Sequence, residues 1–145
     1  MPALFKTWRP VLLLAALLGC PAAHAATDDL AIIANPRISL NELSRDDLAR
    51  IFLMTKTSLQ GVGRVEPVLE RAGVAHEAFL KNYIGRSDSA LMTYYRSLLF
   101  TGKGNMPKSF ASESELIDYV AKTTGAIGYV SVPAATAAVK VLKVK

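Results

Sequence analysis

Cysteine and histidine are scarce in this chain of 145 residues, which has one cysteine, Cys20, and two histidines, His24 and His76. A single cysteine excludes an internal disulfide, so packing must stabilise the fold. Metal sites made of histidine and cysteine, and Ser-His-Asp arrangements, need residue types that the chain hardly offers. We therefore expect a protein that is not an enzyme and that holds no metal and no cofactor.

Long apolar runs are confined to the start of the sequence. Lys6 and Arg9 precede an unbroken apolar run over residues 11–18, and Ala23-His24-Ala25 has the small-x-small pattern of a cleavage signal. This combination predicts a secretory signal peptide over residues 1–25. The apolar run is too short to span a bilayer comfortably, and no later run is longer.

Cys20 leaves a second processing route open. Leu17-Leu18-Gly19-Cys20 resembles a bacterial lipobox, and acylation of Cys20 would tether the protein to a membrane. We expect cleavage after Ala25 instead, which leaves one exported, periplasmic domain over residues 26–145. Loss of the leader removes two cations and lowers the formal charge from +5 to +3.

Clusters of basic residues are also missing. Lys140, Lys143 and Lys145 alternate with valines near the C-terminus, which predicts a solvated strand face. A nucleic-acid surface would need clustered arginine and lysine together with aromatic platforms. We therefore expect no nucleic-acid partner.

Strand and helix patterns alternate over the remaining sequence, which predicts an α/β domain. Serine caps precede three of the helices, and Asp46 and Asp47 suit the first turn of the first one. The predicted strands cover residues 30–34, 65–69 and 139–144, and the predicted helices begin at Ser44, Ala75, Ser87 and Ser112.

Two segments in the middle of the chain have less regular patterns. Pro67 lies within the second predicted strand, which favours an edge or irregular position because proline lacks an N–H. The segment from Thr101 to Pro107 contains two glycines and one lysine, Lys103. Such a loop is either a flexible connection or a weak cradle for an oxyanion.

The segment from Thr124 to Val130 is typical of a helix end that leads directly into a buried strand. Gly125 can adopt the left-handed conformation that ends a helix. Gly128 interrupts an apolar run, so a second backbone or a ligand can approach closely there.

These motifs occur in an order that resembles the periplasmic phosphate-binding proteins of bacterial ABC uptake systems. The resemblance covers nearly all of the predicted domain but corresponds to only one of the two lobes in that family. It implies a lobe with a mixed sheet of about four to five strands flanked by helices. The motifs are Asn35-Pro36, Arg50–Leu53, Glu70-Arg71, Thr101–Asn105 and Thr124–Val130.

The resemblance also implies a binding site. Arg71 looks like the arginine that binds the phosphate oxygens in the family, and Ala75-His76-Glu77 stands where the family has Ser-Gly-Thr. The backbone amides of Ala75, His76 and Glu77 remain as donors, but two hydroxyls are missing. This loss would weaken binding by roughly a hundredfold to ten-thousandfold.

Several of these residues also have simpler interpretations. Arg71 can pair with Glu70 or Glu66 at the surface. Glu77 is well placed for the helix dipole, although it would repel an anion if it faced one. His76 is expected to be a polar surface residue, with pH sensing as the alternative.

The expected function is non-catalytic binding of phosphate or a related oxyanion. Thr101, Lys103 and Asn105 would be secondary contacts, and a permease, a second lobe or a second copy would complete the assembly. Membrane attachment is expected only through Cys20. The alternative is a lobe that has lost its ligand and serves as a protein-interaction or envelope-assembly module.

Overall fold

The structure, a computed structural model, describes residues 30–145. The predicted signal peptide, its cleavage site and Cys20 lie outside the described residues. Within residues 30–145, no helix is both long enough and apolar enough to cross a membrane.

Eight strands and four α-helices alternate along this part of the chain. The strands are β1 (Leu30–Ala34), β2 (Glu42–Leu43), β3 (Ser58–Leu59), β4 (Gly63–Arg64), β5 (Glu66–Glu70), β6 (Lys108–Phe110), β7 (Ala126–Ser131) and β8 (Lys140–Val144). The helices are α1 (Arg45–Phe52), α2 (Val74–Phe79), α3 (Asp88–Phe100) and α4 (Glu113–Lys122). A π-helical turn (Leu80–Ile84) extends α2, and a short 3₁₀ turn (Val132–Ala134) follows β7.

Six of these strands form one mixed sheet in the order β2-β8-β1-β7-β5-β6. β1 is antiparallel to β7 and β8, whereas β5 is parallel to both β7 and β6. The α/β class is confirmed, but the sheet exceeds the predicted four to five strands. β2 and β6, with two and three residues, are too short for a periodic pattern to reveal.

Helices cover both faces of the sheet. One face packs against α1, α2 and α3, and its central side chains include Ile32, Leu69 and Tyr129. The other face carries Ile33 and Val68 and packs against α4. Because successive side chains of a strand point to opposite faces, the short strands β1, β5 and β7 serve both layers.

Serine caps begin three helices, as predicted. The side-chain oxygen of Ser44 accepts a hydrogen bond from the amide of Asp47 at 3.1 Å. Ser87 and Ser112 make the same bond to the third residue of their helices, at 3.3 and 3.2 Å. Each bond satisfies an amide that has no partner inside the helix.

Of the two positions predicted for Pro67, the edge is excluded because β5 lies between β7 and β6, and the irregular one is observed. The amide of Glu66 donates to the carbonyl of Gly125 on the β7 side, so the nitrogen of Pro67 points toward β6. Pairing with β6 begins only at Val68. Proline therefore occupies the one place on that side where no ladder bond is needed.

The two glycines that follow α4 have different roles. Gly125 has a φ of +85°, in the left-handed region, as predicted for this helix end. At Gly128, an added Cβ would lie 2.8 Å from Cδ2 of Leu116 and 3.0 Å from Cγ2 of Val68. The close approach at Gly128 is therefore made by helix α4 and a neighbouring strand.

Candidate functional site

A cleft of about 450 Å³ lies where β5 ends and α2 and α3 begin. Ligands of open α/β sheets bind outside the carboxyl ends of parallel strands, and β5 belongs to the parallel part of this sheet. The cleft combines three cations, two carboxylates and a histidine with small and apolar residues. This cleft, called the Arg71 cleft below, is lined by Arg71, Ala72, Gly73, His76, Glu77, Leu80, Lys81, Arg86, Ser87 and Asp88.

Arg71 follows the last residue of β5 and is exposed. Its amide donates to the carbonyl of Phe110 at 2.8 Å, which fixes the backbone against β6. Within residues 30–145, its guanidinium has no ion pair. Neither predicted partner pairs with it, because Glu66 accepts a bond from the Tyr119 hydroxyl at 2.7 Å and Glu70 is buried.

His76 is buried, with an exposed fraction of 3 %, so the expectation of a surface histidine is wrong. Its Nδ1 lies 2.5 Å from the hydroxyl of Tyr129, and its Nε2 lies 2.8 Å from Oδ1 of Asp88. The ring therefore forms the floor of the cleft and connects strand β7 to the first turn of α3.

The hydrogen-bond directions around His76 follow from its neighbours. The Tyr129 oxygen accepts a bond from the amide of Glu70 at 3.1 Å, so its hydroxyl proton can be donated to Nδ1 of His76. Nε2–H then donates to Asp88. Burial raises the pKa of the Tyr129 hydroxyl, so it remains a donor. In this arrangement the Tyr129 hydroxyl and both ring nitrogens of His76 have hydrogen-bond partners.

Ala75 and Glu77 lie on opposite sides of α2. The side chain of Ala75 is buried in the core, whereas that of Glu77 is exposed on the cleft. The amide of Glu77 donates to the carbonyl of Gly73 at 3.1 Å. This predicted donor to a ligand is therefore already bonded within the chain.

Thr101, Lys103 and Asn105 do not line the Arg71 cleft. The hydroxyl of Thr101 donates to the carbonyl of Ser97 at 2.8 Å, and the amide of Lys103 donates to the carbonyl of Leu98 at 3.0 Å. Asn105 lines a separate cleft of about 390 Å³. The structure therefore brings Arg71, His76 and Glu77 together without the three predicted secondary contacts.

Sequence reasoning missed the second wall of the cleft, at the start of α3. Arg86 lies with its guanidinium carbon 5.1 Å from the centre of the Tyr94 ring, and Asp88 bonds to His76. Ser87 was identified only as a helix cap. A basic residue immediately before a capped helix was the available signal, but nothing local placed it opposite Arg71.

Sequence comparisons give no relative, because no family model and no curated protein matches this chain. Solved structures do match. The ABC-type phosphate transport receptor of Vibrio cholerae is 21 % identical, with a TM-score of 0.55. The match covers 81 % of this chain and 46 % of the receptor.

Two further structures agree with this result. A candidate phosphate ABC transporter substrate-binding protein from Clostridium perfringens, solved with bound phosphate, has a TM-score of 0.60 at 18 % identity. The match covers 81 % of this chain and 45 % of that protein. PstS from Borrelia burgdorferi has a TM-score of 0.56 at 15 % identity, with 81 % and 47 % coverage.

The chain has the substrate-binding-protein fold. The resemblance inferred from the order of the motifs is thus confirmed at the level of the fold. The chain spans about half the length of the proteins that it matches, as the predicted single lobe requires. In a lobe of this fold, the Arg71 cleft is the candidate site.

Proposed function

We propose that this domain binds phosphate or a related oxyanion in the Arg71 cleft without transforming it. The observation that carries the proposal is Arg71, an exposed guanidinium with no ion pair in the described chain, at the carboxyl end of a parallel strand. The fold, shared with phosphate-transporter receptors, supports the same role.

The charges of the cleft favour an anion by a small margin. Arg71, Lys81 and Arg86 contribute three cations, against the two carboxylates of Glu77 and Asp88. Asp88 is partly compensated by the N–H of His76. The planar guanidinium of Arg71 can form two parallel bonds to neighbouring oxygens of an oxyanion.

The proposed role is binding alone. Both ring nitrogens of His76 are hydrogen-bonded within the chain, which leaves no free imidazole as a general base. The described residues hold no cluster of histidine, cysteine, aspartate and glutamate suited to a metal ion.

The setting of this role is part of the proposal. We place the domain in the periplasm, after removal of the predicted signal peptide, as a receptor for an ABC uptake transporter. A second lobe, a second copy or the permease would close the cleft, because the chain spans about half the length of the matched receptors.

Replacement of Arg71 by alanine tests this proposal. We expect wild-type protein to bind phosphate saturably at millimolar concentration or below. We expect the Arg71→Ala variant to bind roughly tenfold to hundredfold more weakly, since a hydrogen bond to a charged ligand contributes about 1.5–3 kcal/mol. Isothermal titration calorimetry with phosphate, sulfate and a phosphonate measures both affinities.

Arg96→Ala is the matched control, because Arg96 is an exposed arginine of α3 that does not line the cleft. Its affinity for phosphate should equal that of the wild type. Equal binding by the Arg71→Ala variant, or no heat from any anion at millimolar concentration, would contradict the proposal.

Exposed apolar side chains favour one alternative, a protein-interaction module for envelope assembly. Phe100, at the end of α3, is 86 % exposed, and its neighbour in sequence, Leu99, is also exposed. Apolar side chains that are exposed together are typical of interaction surfaces. A pull-down from envelope extract that recovers a partner with wild-type protein, but not with Phe100→Ser, would support this alternative.

A further inference from the structure

Glu70 is a buried carboxyl group that the proposed binding role leaves unexplained. It is the last residue of β5, and its exposed fraction is 7 %. One of its carboxyl oxygens, Oε2, has no hydrogen-bond partner within the described residues. Buried polar atoms are almost always bonded, so an unpartnered carboxyl oxygen beside a cleft requires a reason.

Gly73 separates this carboxyl group from the cleft. Gly73 lines the cleft, and a Cβ added to it would lie 2.8 Å from Oε1 of Glu70. Its φ of +133° also favours glycine. The carboxyl group therefore lies directly behind the cleft wall, and no side chain screens it at that point.

The groups that face Glu70 come from three elements. Glu113 of α4 is a second carboxylate, held by the amide of Ser131 at 2.6 Å and by its hydroxyl at 2.9 Å. His76 of α2 lowers the pKa of the Glu70 carboxyl, and Tyr129 of β7 places a neutral hydroxyl at the Glu70 amide. Burial, followed by Glu113, raises the pKa of Glu70.

We infer that Glu70 couples anion binding in the Arg71 cleft to a proton: the cleft accepts an oxyanion when the Glu70 carboxyl is protonated and repels it when the carboxyl is ionised. The inference rests on the proposed function. The proton comes from solvent and remains on Glu70, and no bond in the ligand changes.

The physical reason is that only Gly73, which has no side chain, separates the Glu70 carboxyl from the cleft. A carboxylate behind Gly73 and an oxyanion at Arg71 would repel each other, and burial of Glu70 reduces the screening of its charge by water. Binding should therefore weaken as the pH rises through the pKa of Glu70, which lies above the ordinary glutamate value of 4.5. By reciprocity, a bound anion raises the pKa of Glu70 further.

The Glu70→Gln variant tests this coupling, because glutamine has nearly the same shape and remains neutral. Calorimetric titration with inorganic phosphate would be run from about pH 5 to about pH 9 on both proteins. The ionisation of phosphate itself is common to both, so the ratio of their affinities isolates Glu70. We expect the affinity of the variant relative to the wild type to rise with pH and to reach roughly tenfold or more at the alkaline end.

Asp118→Asn is the matched control. It also removes one negative charge, but from an exposed pair with Lys122 on α4. Its affinity should follow the wild type at every pH. An affinity ratio between Glu70→Gln and wild type that does not change with pH would overturn the inference. If the Arg71→Ala variant lost binding in that case, the proposed function would stand. No binding by either protein would overturn both.

A second measurement needs no ligand. Since the folded-state pKa of Glu70 is raised, its contribution to stability is most favourable at or below the unfolded value and declines as the pH rises toward the folded value. Urea unfolding of the wild type should show this decline, and Glu70→Gln should lack it. Identical pH dependence in the two proteins would show that folding leaves the pKa of Glu70 unchanged, and would overturn the inference.

Discussion

Gly125→Ala is expected to destabilise the domain by about 3 kcal/mol or more, the largest loss expected for removal of a single glycine here. A Cβ at this position would lie 2.4 Å from the carbonyl oxygen of Arg64. The φ of +85° adds the cost of a left-handed conformation. The backbone cannot shift freely, because the Gly125 carbonyl accepts a 2.9 Å bond from the amide of Glu66. Urea unfolding followed by circular dichroism measures the loss.

Gly61→Ala is the control that separates strain from collision. Gly61 has a φ of +78°, but no atom lies within 4 Å of its added Cβ. Only the left-handed conformation is then penalised, at about 1–2 kcal/mol. Gly128→Ala should fall between the two, because the Leu116 and Val68 atoms that it meets are ends of side chains. Equal losses for Gly61→Ala and Gly125→Ala would contradict the collision argument.

The features predicted correctly from sequence depend on local interactions. The caps at Ser44, Ser87 and Ser112 each involve an amide three residues away, so residue types and spacing determine them. The left-handed conformation of Gly125 likewise follows from a helix end that leads directly into a strand. The first strand, β1, was predicted with its observed bounds because an Asn-Pro turn ends it.

The features missed depend on contacts between distant parts of the chain. The hydroxyl of Tyr129, 53 residues after His76, accounts for the burial of that histidine. The position of β5 between β7 and β6 depends on those two strands, which follow it in the sequence. No periodic pattern contains this information, so the sequence alone leaves the edge and the irregular position of Pro67 open and predicts a surface position for His76.

The candidate site likewise combines residues placed by local structure with residues placed by distant contacts. Arg71, His76 and Glu77 share the cleft because they lie within a strand end and the first turns of the following helix. The loop with Thr101, Lys103 and Asn105 is placed by α3, and tertiary contacts fix α3 itself. The Tyr94 and Tyr95 hydroxyls donate to the carbonyls of Leu53 and Phe52 at 2.7 and 2.5 Å.

Tyr129 connects the core to the cleft. Its ring stacks on Phe79 with centroids 4.0 Å apart and also contacts Phe52. Its hydroxyl bonds to the backbone of Glu70 and to the His76 ring. A single side chain therefore fixes the end of β5, where Arg71 emerges, and the histidine that holds Asp88.

Tyr129→Phe is expected to destabilise the domain by about 2–4 kcal/mol, although it leaves the aromatic packing intact. The change removes one oxygen but leaves the buried amide of Glu70 and Nδ1 of His76 without their partner. Each buried polar group left unsatisfied costs about 1–3 kcal/mol. Urea unfolding gives the loss, and nitrogen NMR of the His76 ring reports whether the proton remains on Nε2.

Tyr119→Phe provides the comparison, because its hydroxyl also makes two bonds but in a more exposed setting. It donates to Glu66 at 2.7 Å and accepts from Lys108 at 2.7 Å. Water can replace the lost oxygen there, so the expected loss is below about 1 kcal/mol. A similar loss in both variants would mean that burial of the Tyr129 network contributes nothing. An unchanged His76 tautomer in Tyr129→Phe would show that Asp88 alone orients the ring.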